Sequence, residues 1–548
     1  MLAQTSLPLT VPEETAKLAK RVFRKGNRYV TLRDEMGLIF TESDFADLYA
    51  EQGAPGVSAV QLALVTLVQF MEDLSDRAAA EAVRSRIDLK YLLGLELADE
   101  GFDYSVLSEF RQRLVAGEAQ NRLLDKLLRL CQDKGWLKAG GKQRTDSTHI
   151  VGAVRSLSRQ ELVGETLRYA LNSVAEAAPA WLQAQAPTAW YARYWQRIEG
   201  YRLPKGQTAR AAWVQQVGED GQQLLGWLQS ASAPPLLCEL PAVIALQTVW
   251  PQQFHLAGAT VRWRQAGELP TALTMVQSPY DPEVRYSEKG ATHWEGYKVH
   301  FTESCDEGLP HLITQVTTTA APVPDCTSTA PIQANLAETG RLPGQHIVDG
   351  GYTSADDYVQ SQSQHGVLLV GPTTPDVSWQ AKAADGFDQT HFRLDWQQQQ
   401  ATCPAGKTSQ RWLPETKAAD NPSILIRFDP KDCTDCPLRT RCTRALTGPR
   451  SLRILPQPQF EALQVARQQQ LTPAFQALYR QRAGIEGTLS QALRTADLRF
   501  ARFLGQAKTH LQNVATGAAL TLLRLADFLM GRQPARTRLS AFARLAPT

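Results

Sequence analysis

A chain of 548 residues with 43% hydrophobic and 21% charged residues is several times the usual domain length, which predicts two to four globular units and excludes a disordered polymer. Its formal net charge of +3 is too small to make the whole surface a polyanion binder, so any nucleic-acid footprint must be local. The longest early apolar run, residues 60–71, is too short to span a bilayer and is interrupted by Gln61, Thr66 and Gln69. The opening MLAQTSLPLTVPEE lacks the pattern of a signal sequence. A reducing, cytoplasmic setting is therefore expected, in which the eight cysteines stay out of disulfides.

Ser58, with Gln61 three residues on, is a predicted N-cap for the apolar helix over residues 60–71. A second helical pattern runs through SDRAAAEAVRSRIDLKYLLGL and a third begins near Ser105. These carry Arg84, Arg86, Lys90, Arg111 and Arg113. They form either the solvated basic face of a helical bundle or a helix-turn-helix-like unit whose arginines meet phosphates. From Lys142 the pattern turns strand-like and then returns to helix for about a hundred residues, a span holding seven of the twelve tryptophans. That density predicts a packed helical insertion. Short β-branched runs follow in GYKVHFTES, HLITQVTTT, QHIVDGGY and GVLLVGP, with TAPIQANLAETG helical between them, so a mixed α/β sheet is assembled from distant pieces. From Gln459 the pattern is helical and ends in a basic tail with Arg532, Arg536, Arg538 and Arg544.

Three acids stand in suggestive places. Asp146, in QRTDSTHI, sits where an aspartate is commonly a turn or capping residue. Asp349 ends the apolar HIV run and precedes GGYTS, the strand end where open α/β sheets place active sites, although such residues also cap the next helix. Glu486, in YRQRAGIEGTLSQALR, follows Tyr479 and Arg482 at spacings that share one face of a continuous helix. Lys298 and His300, alternating with apolar neighbours in GYKVH, point the same way along a strand and are candidates for phosphate contact, the alternative being a solvated face. His149, near Asp146, is read as a structural hydrogen-bonding histidine.

Cys403 in CPAGK and Cys433, Cys436 and Cys442 in CTDCPLRTRC supply four thiolates, the number a structural tetrahedral Zn²⁺ takes. Zinc is preferred to a redox pair because the surrounding sequence is polar and offers little else to build a core. Cys131, Cys238, Cys305 and Cys326 show no ligand spacing.

The succession TDSTHI, EGYKVHFTE, VDGGYTS and YRQRAGIEGTLSQALR resembles the catalytic core of bacterial insertion-sequence transposases of the DDE type, which have an RNase H-like fold. The segments SAVQLALVTLVQFMEDLSDRAAAEAV and DYSVLSEFRQRL are similar to the N-terminal domain of the same proteins. The resemblance implies an α/β protein whose RNase H-like mixed sheet is interrupted by a helical and a Cys-rich insertion, with helical N- and C-terminal regions. The expected segments are a helical DNA-binding region over residues 1–140, core over 141–155 and 266–375, and a Trp-rich insertion over 156–265. A zinc-binding insertion over 376–455 and a helical region over 456–548 complete the chain.

The resemblance further implies that Asp146, Asp349 and Glu486 are the catalytic triad and hold two Mg²⁺ (or Mn²⁺) ions. Two such ions about 3.5–4 Å apart can activate an oxygen nucleophile and stabilise the leaving 3′ oxygen, and hard Mg²⁺ suits carboxylate ligands. In the family's Tyr-Arg-Glu-Lys signature, Tyr479 and Arg482 would grip transposon-end DNA. The basic position seven after Glu486 is Leu493 here, with Arg494 one residue later. Arg111 and Arg113 would contribute to end binding. The implied activity is binding of terminal inverted repeats, metal-dependent cleavage and strand transfer to target DNA, by a homodimer on paired ends in the bacterial nucleoid. A structure-selective nuclease without strand transfer and a catalytically silent DNA-binding protein are the alternatives.

Overall fold

The computed structural model describes residues 10–257, 260–383, 385–417 and 421–532, together with Leu7, Phe542 and Leu545. Arg536, Arg538 and Arg544 of the basic tail lie outside the described residues. The chain divides into two compact units, both mixed α/β: residues 1–138, 146–323 and 486–548 form the first, and residues 139–145 and 324–485 the second.

In the first unit the apolar run becomes the helix Ala59–Met71, every residue of which is buried. Ser58 caps it, its Oγ accepting from the Gln61 N–H at 3.2 Å. The long helix Gln506–Leu529 packs against it and buries most of its own residues. The second predicted helix is two, Asp76–Ser85 and Ile87–Leu93, because Arg86 adopts an extended conformation (φ −99°, ψ 125°). The Arg86 guanidinium then bridges Glu72 and Asp88, an arrangement unreachable within a straight helix. The third predicted helix is Ser105–Ala116.

Strand β1, Lys142–Val151, contributes its second half to this unit and lies beside the long strand β3, Thr292–Ser304. The other edge of β3 is shared in succession by β2, Arg285–Lys289, and β4, Ile313–Ala320, both antiparallel to it. Gly296 lets β3 approach β1 closely, since a Cβ there would lie 2.0 Å from the Ile150 carbonyl oxygen.

The Trp-rich stretch folds as helices Arg159–Ala177, Pro179–Gln185, Thr188–Tyr194, Gln207–Leu228 and Pro241–Gln253, followed by a short hairpin. Its buried residues form a hydrophobic cluster of their own around Trp250, Trp190 and Phe254. The Trp250 indole packs against Gly221 and donates to the Gly218 carbonyl at 3.0 Å, while Gly218 makes room for Phe254 and Val261. A Cβ at Gly221 would stand 1.9 Å from the indole ring.

In the second unit the first half of β1 runs parallel to β5, Gln345–Val348, which runs parallel to β6, Leu368–Val370. Helices Thr329–Glu338 and Ala355–His365 connect and cover these strands. Two small antiparallel sheets follow, one formed by Arg393–Asp395 with Gln400–Thr402, the other by Arg411–Lys417, Asn421–Arg427 and Ser451–Ile454. Phe387, Phe392, Ile426, Phe428, Leu452 and Ile454 pack there as a hydrophobic cluster. The Cys-rich region therefore has an apolar core, contrary to the polar region its composition predicts.

Candidate functional site

Asp146 is neither a turn nor a cap: it lies inside β1, half-buried, with one carboxylate oxygen accepting its neighbour Ser147's N–H at 2.7 Å. Just before it, Thr145 is paired with Val348 of β5, and the residue that follows Val348 is Asp349. The register is fixed by His346, which is fully buried. Its Nε2 meets Thr145 Oγ1 at 2.7 Å and its Nδ1 meets Gln333 Nε2 at 3.2 Å. The amide nitrogen of Gln333 can only donate, so Nδ1 accepts and Nε2 carries the proton. Burial lowers this histidine's pKa to about 4, which keeps it neutral.

Asp349 is the N-cap of the single 3₁₀ turn Gly350–Tyr352, with Oδ1 accepting from the Gly351 N–H at 2.8 Å. The capping role foreseen for a strand-ending aspartate is thus realised through one oxygen.

Glu486 stands in the first turn of the helix Ala483–Thr495. Ile485, Thr488, Leu489 and Ala492 are buried along one side, whereas Glu486, Ser490 and Arg494 are exposed. Leu493 is half-buried, so the basic group on the exposed side is Arg494. The buried side is held by a polar knot. Thr488 Oγ1 donates to Glu303 Oε2 at 2.5 Å, and Arg524 pairs with that same oxygen at 2.6 Å while donating to Thr488 Oγ1, Gln491 Oε1 and the His311 carbonyl. Glu303 is fully buried. This arrangement ties β3, the helix of Glu486 and the long C-terminal helix together, and it was not foreseen in the sequence.

Tyr479, Arg482 and Glu486 do not lie on one continuous α-helix. The helix Pro473–Tyr479 ends at Tyr479, a 3₁₀ turn covers Arg480–Arg482, and the next helix begins at Ala483. The tightened turn alters the 3.6-residue spacing on which a shared face depends. Tyr479 stacks on Phe475 with ring centroids 5.7 Å apart. Below the tightened turn lies Arg144 of β1, buried, donating to the Gln481 carbonyl and passing where a Cβ on Gly484 would be 2.1 Å from its Nη1. The glycine in RAGIEG is the only sequence signal of that close approach.

Several basic candidates prove to be committed internally. Arg111 is buried, pairs with Asp76 at 2.5 Å, and lies 5.4 Å from the Phe503 ring centroid. Burial and pairing contradict its expected phosphate contact. Lys90 is likewise buried and donates to the carbonyls of Asp99 and Glu96. His300 is fully buried with Nε2 3.1 Å from Thr319 Oγ1, and Lys298 is half-buried and donates to the Val323 carbonyl. The burial of His300 does not fit a solvated strand face. Arg113 remains half-exposed, over the Tyr49 ring and 3.4 Å from Glu109. His149 packs on Trp294 with centroids 4.8 Å apart, and burial followed by repulsion from Arg499 and Lys289 lowers its pKa, in keeping with the structural role.

Glu295 competes with Glu486 as an acid near the core strands. Its Oε1 accepts from Ser156 Oγ at 3.0 Å, while Oε2 is buried without a hydrogen-bond partner among the described residues. Desolvation raises its pKa above the ordinary 4.5. The folded state therefore holds this proton more tightly than the unfolded chain, and its stabilising contribution is complete below the unfolded pKa and lost as pH rises through the folded one. Glu295→Gln is expected to gain in melting temperature relative to the parent as pH rises from about 4 to 7. Parallel thermal melts check this; a constant difference would place the carboxylate in water.

Cys403, Cys433, Cys436 and Cys442 line one cavity of about 30 Å³ together with Lys407, Asp432, Arg439 and Arg450. Burial pushes the Cys442 thiol up to about 11, and the other three sulfurs add to the shift. Among the described residues, no group of three or more His, Cys, Asp or Glu side chains is arranged so that it could hold a metal ion. No described helix is long and apolar enough to cross a membrane.

A family model described as a transposase DDE domain matches residues 402–526, and one described as a transposase domain (DUF772) matches residues 17–113. The first match takes in the cysteines, Tyr479, Arg482, Glu486 and Arg494, while Asp146 and Asp349 lie outside both. No curated protein and no solved structure matches the chain.

Proposed function

Because this chain belongs to the DDE-type insertion-sequence transposases that carry the N-terminal transposase domain, we propose that it binds the terminal inverted repeats of its element, cleaves at them and joins the ends to target DNA. The observation that carries this reading is the register of β1 and β5, in which Thr145 and Val348 are partners, Asp146 follows Thr145 within β1 and Asp349 follows the end of β5. Asp146, Asp349 and Glu486 offer only carboxylate oxygens, the ligand type that suits Mg²⁺ or Mn²⁺, and would have to converge to hold such an ion. When bound, such ions supply charge neutralisation at the phosphate and acidify a water or a 3′-hydroxyl. The chain's own contribution is orientation: His346 sets the level of the strand ends, and the Glu303–Arg524–Thr488 knot holds the exposed side of the Glu486 helix outward. Arg494 and Arg113 are the exposed or half-exposed candidates for DNA phosphates, with Tyr479 and Arg482 preceding the catalytic helix.

Paired-end DNA taken from the flanks of its own gene tests this reading. Metal-dependent cuts at the ends with joined products are expected from a homodimer on two ends. Cuts without joining would establish the nuclease, and binding indifferent to metal would establish the silent DNA-binding protein.

The four cysteines are proposed as a structural zinc site. The support is their common cavity, in which burial, with a smaller addition from the other three sulfurs, raises the Cys442 thiol; a bound cation would reverse that with release of protons. About one zinc per chain is expected in protein purified without added metal. Folded protein free of zinc, by elemental analysis, would leave the apolar cluster as the only organiser of this region.

A further inference from the structure

The helical Trp-rich region presents a second feature that its own packing does not use. Across residues 187–212 there are five basic residues and one acid, against a net charge of +3 for the whole chain. In this stretch Trp190 and Tyr194 face the core, while their neighbours Tyr191 and Trp195 face outward, 55% and 72% exposed. Tyr201, on a 3₁₀ turn, is 75% exposed. The segment is held in shape by Arg202, which donates to Tyr201 Oη at 3.0 Å, lies 5.3 Å from that ring's centroid, and reaches back to Gln196 and Glu199. That contact brings the residue after Trp195 to the neighbour of Tyr201. Arg193 is occupied by Asp220. Arg197 and Lys205 are exposed and meet no carboxylate among the described residues.

We infer that Trp195, Tyr201 and Tyr191, with Arg197 and Lys205, form a platform for single-stranded DNA. Burying these rings would contribute to folding, yet the chain keeps them in water beside two cations without acidic partners. A ligand that complements this set carries regularly spaced negative charges and flat faces available for stacking, which describes a strand with unpaired bases. In a duplex the base faces are stacked on one another and only phosphates remain for this surface. The choice of DNA as the polyanion rests on the transposase reading; the platform itself does not involve the three carboxylates.

The test uses the full chain in EDTA, with a 20-nucleotide oligothymidylate and a 20-base-pair duplex as probes in fluorescence anisotropy at several salt concentrations. Trp195→Ala with Tyr201→Ala is expected to weaken oligothymidylate binding by roughly tenfold or more, leave its salt dependence unchanged, and alter duplex binding less than about threefold. Arg197→Ala with Lys205→Ala is expected to reduce the single-strand salt slope by about 1.4. All four side chains are exposed, so melting temperatures should match the parent and confirm folding. Wild-type protein that fails to bind the oligothymidylate, an aromatic variant that binds it as the parent does, or equal losses on both probes would overturn the inference. Cleavage of paired ends by the same preparations separates the two readings. End cutting with an unaffected aromatic variant sinks the platform alone, and selective single-strand loss without any cutting sinks the transposition chemistry alone.

Discussion

Glu486→Gln is expected to lower metal-dependent cleavage by on the order of a thousandfold while binding of terminal DNA persists. The substitution keeps shape and hydrogen bonding but removes the charge that a divalent cation requires, and the several kcal/mol of charge stabilisation that such ions supply convert at about 1.4 kcal/mol per factor of ten. Glu486 is exposed on its helix, so the variant should fold as the parent does. Asp146→Asn should behave in the same way. Glu295→Gln is the internal control and is expected to stay within a few-fold of the parent, because its carboxyl is committed to Ser156 and to a buried position. Cleavage rates with Mg²⁺ and Mn²⁺, measured beside end binding, decide the matter. If Glu486→Gln and Asp146→Asn both cut normally, the triad assignment is wrong.

Arg524→Met carries the second large effect, on stability. It would take the guanidinium away from the Glu303 carboxylate, which is fully buried and also accepts from Thr488. Removing one member of a buried ion pair costs about 3–5 kcal/mol because the other charge is left uncompensated. A matching fall in the midpoint of urea unfolding is expected. The double variant Glu303→Gln with Arg524→Met should recover most of the loss, since it removes both charges together. Equal destabilisation in the single and double variants would show that packing, rather than the charge, holds the helix.

The elements around the three acids are legible in the sequence where the signal is local. The short strand runs around Lys298 and Asp349 carry β-branched residues and lie beside Gly, Pro or Asp, and they fall within β3 and β5. The elements are not legible at Tyr479–Glu486, where the helical spacing of the residue types runs through a turn that tightens to 3₁₀. Nor are the places of Arg111 and His300, whose charge or polarity marks them as surface groups. Their partners Asp76 and Thr319 stand 35 and 19 positions away, beyond the reach of any local rule.

What the sequence determined by itself was the set of elements and the pieces of chemistry. The Ser58 cap and the apolar Ala59–Met71 helix follow from residue types at short spacings, which the backbone's fixed periodicities translate directly into structure. Tertiary structure alone decided which polar groups remain available. Arg144 under Gly484, His346 against Thr145, and the Glu303–Arg524 pair separated by 221 positions are each settled by which elements pack together. A buried polar group is stabilised by whichever partner the fold places beside it, so its role is fixed by packing and cannot be read from its neighbours in the chain.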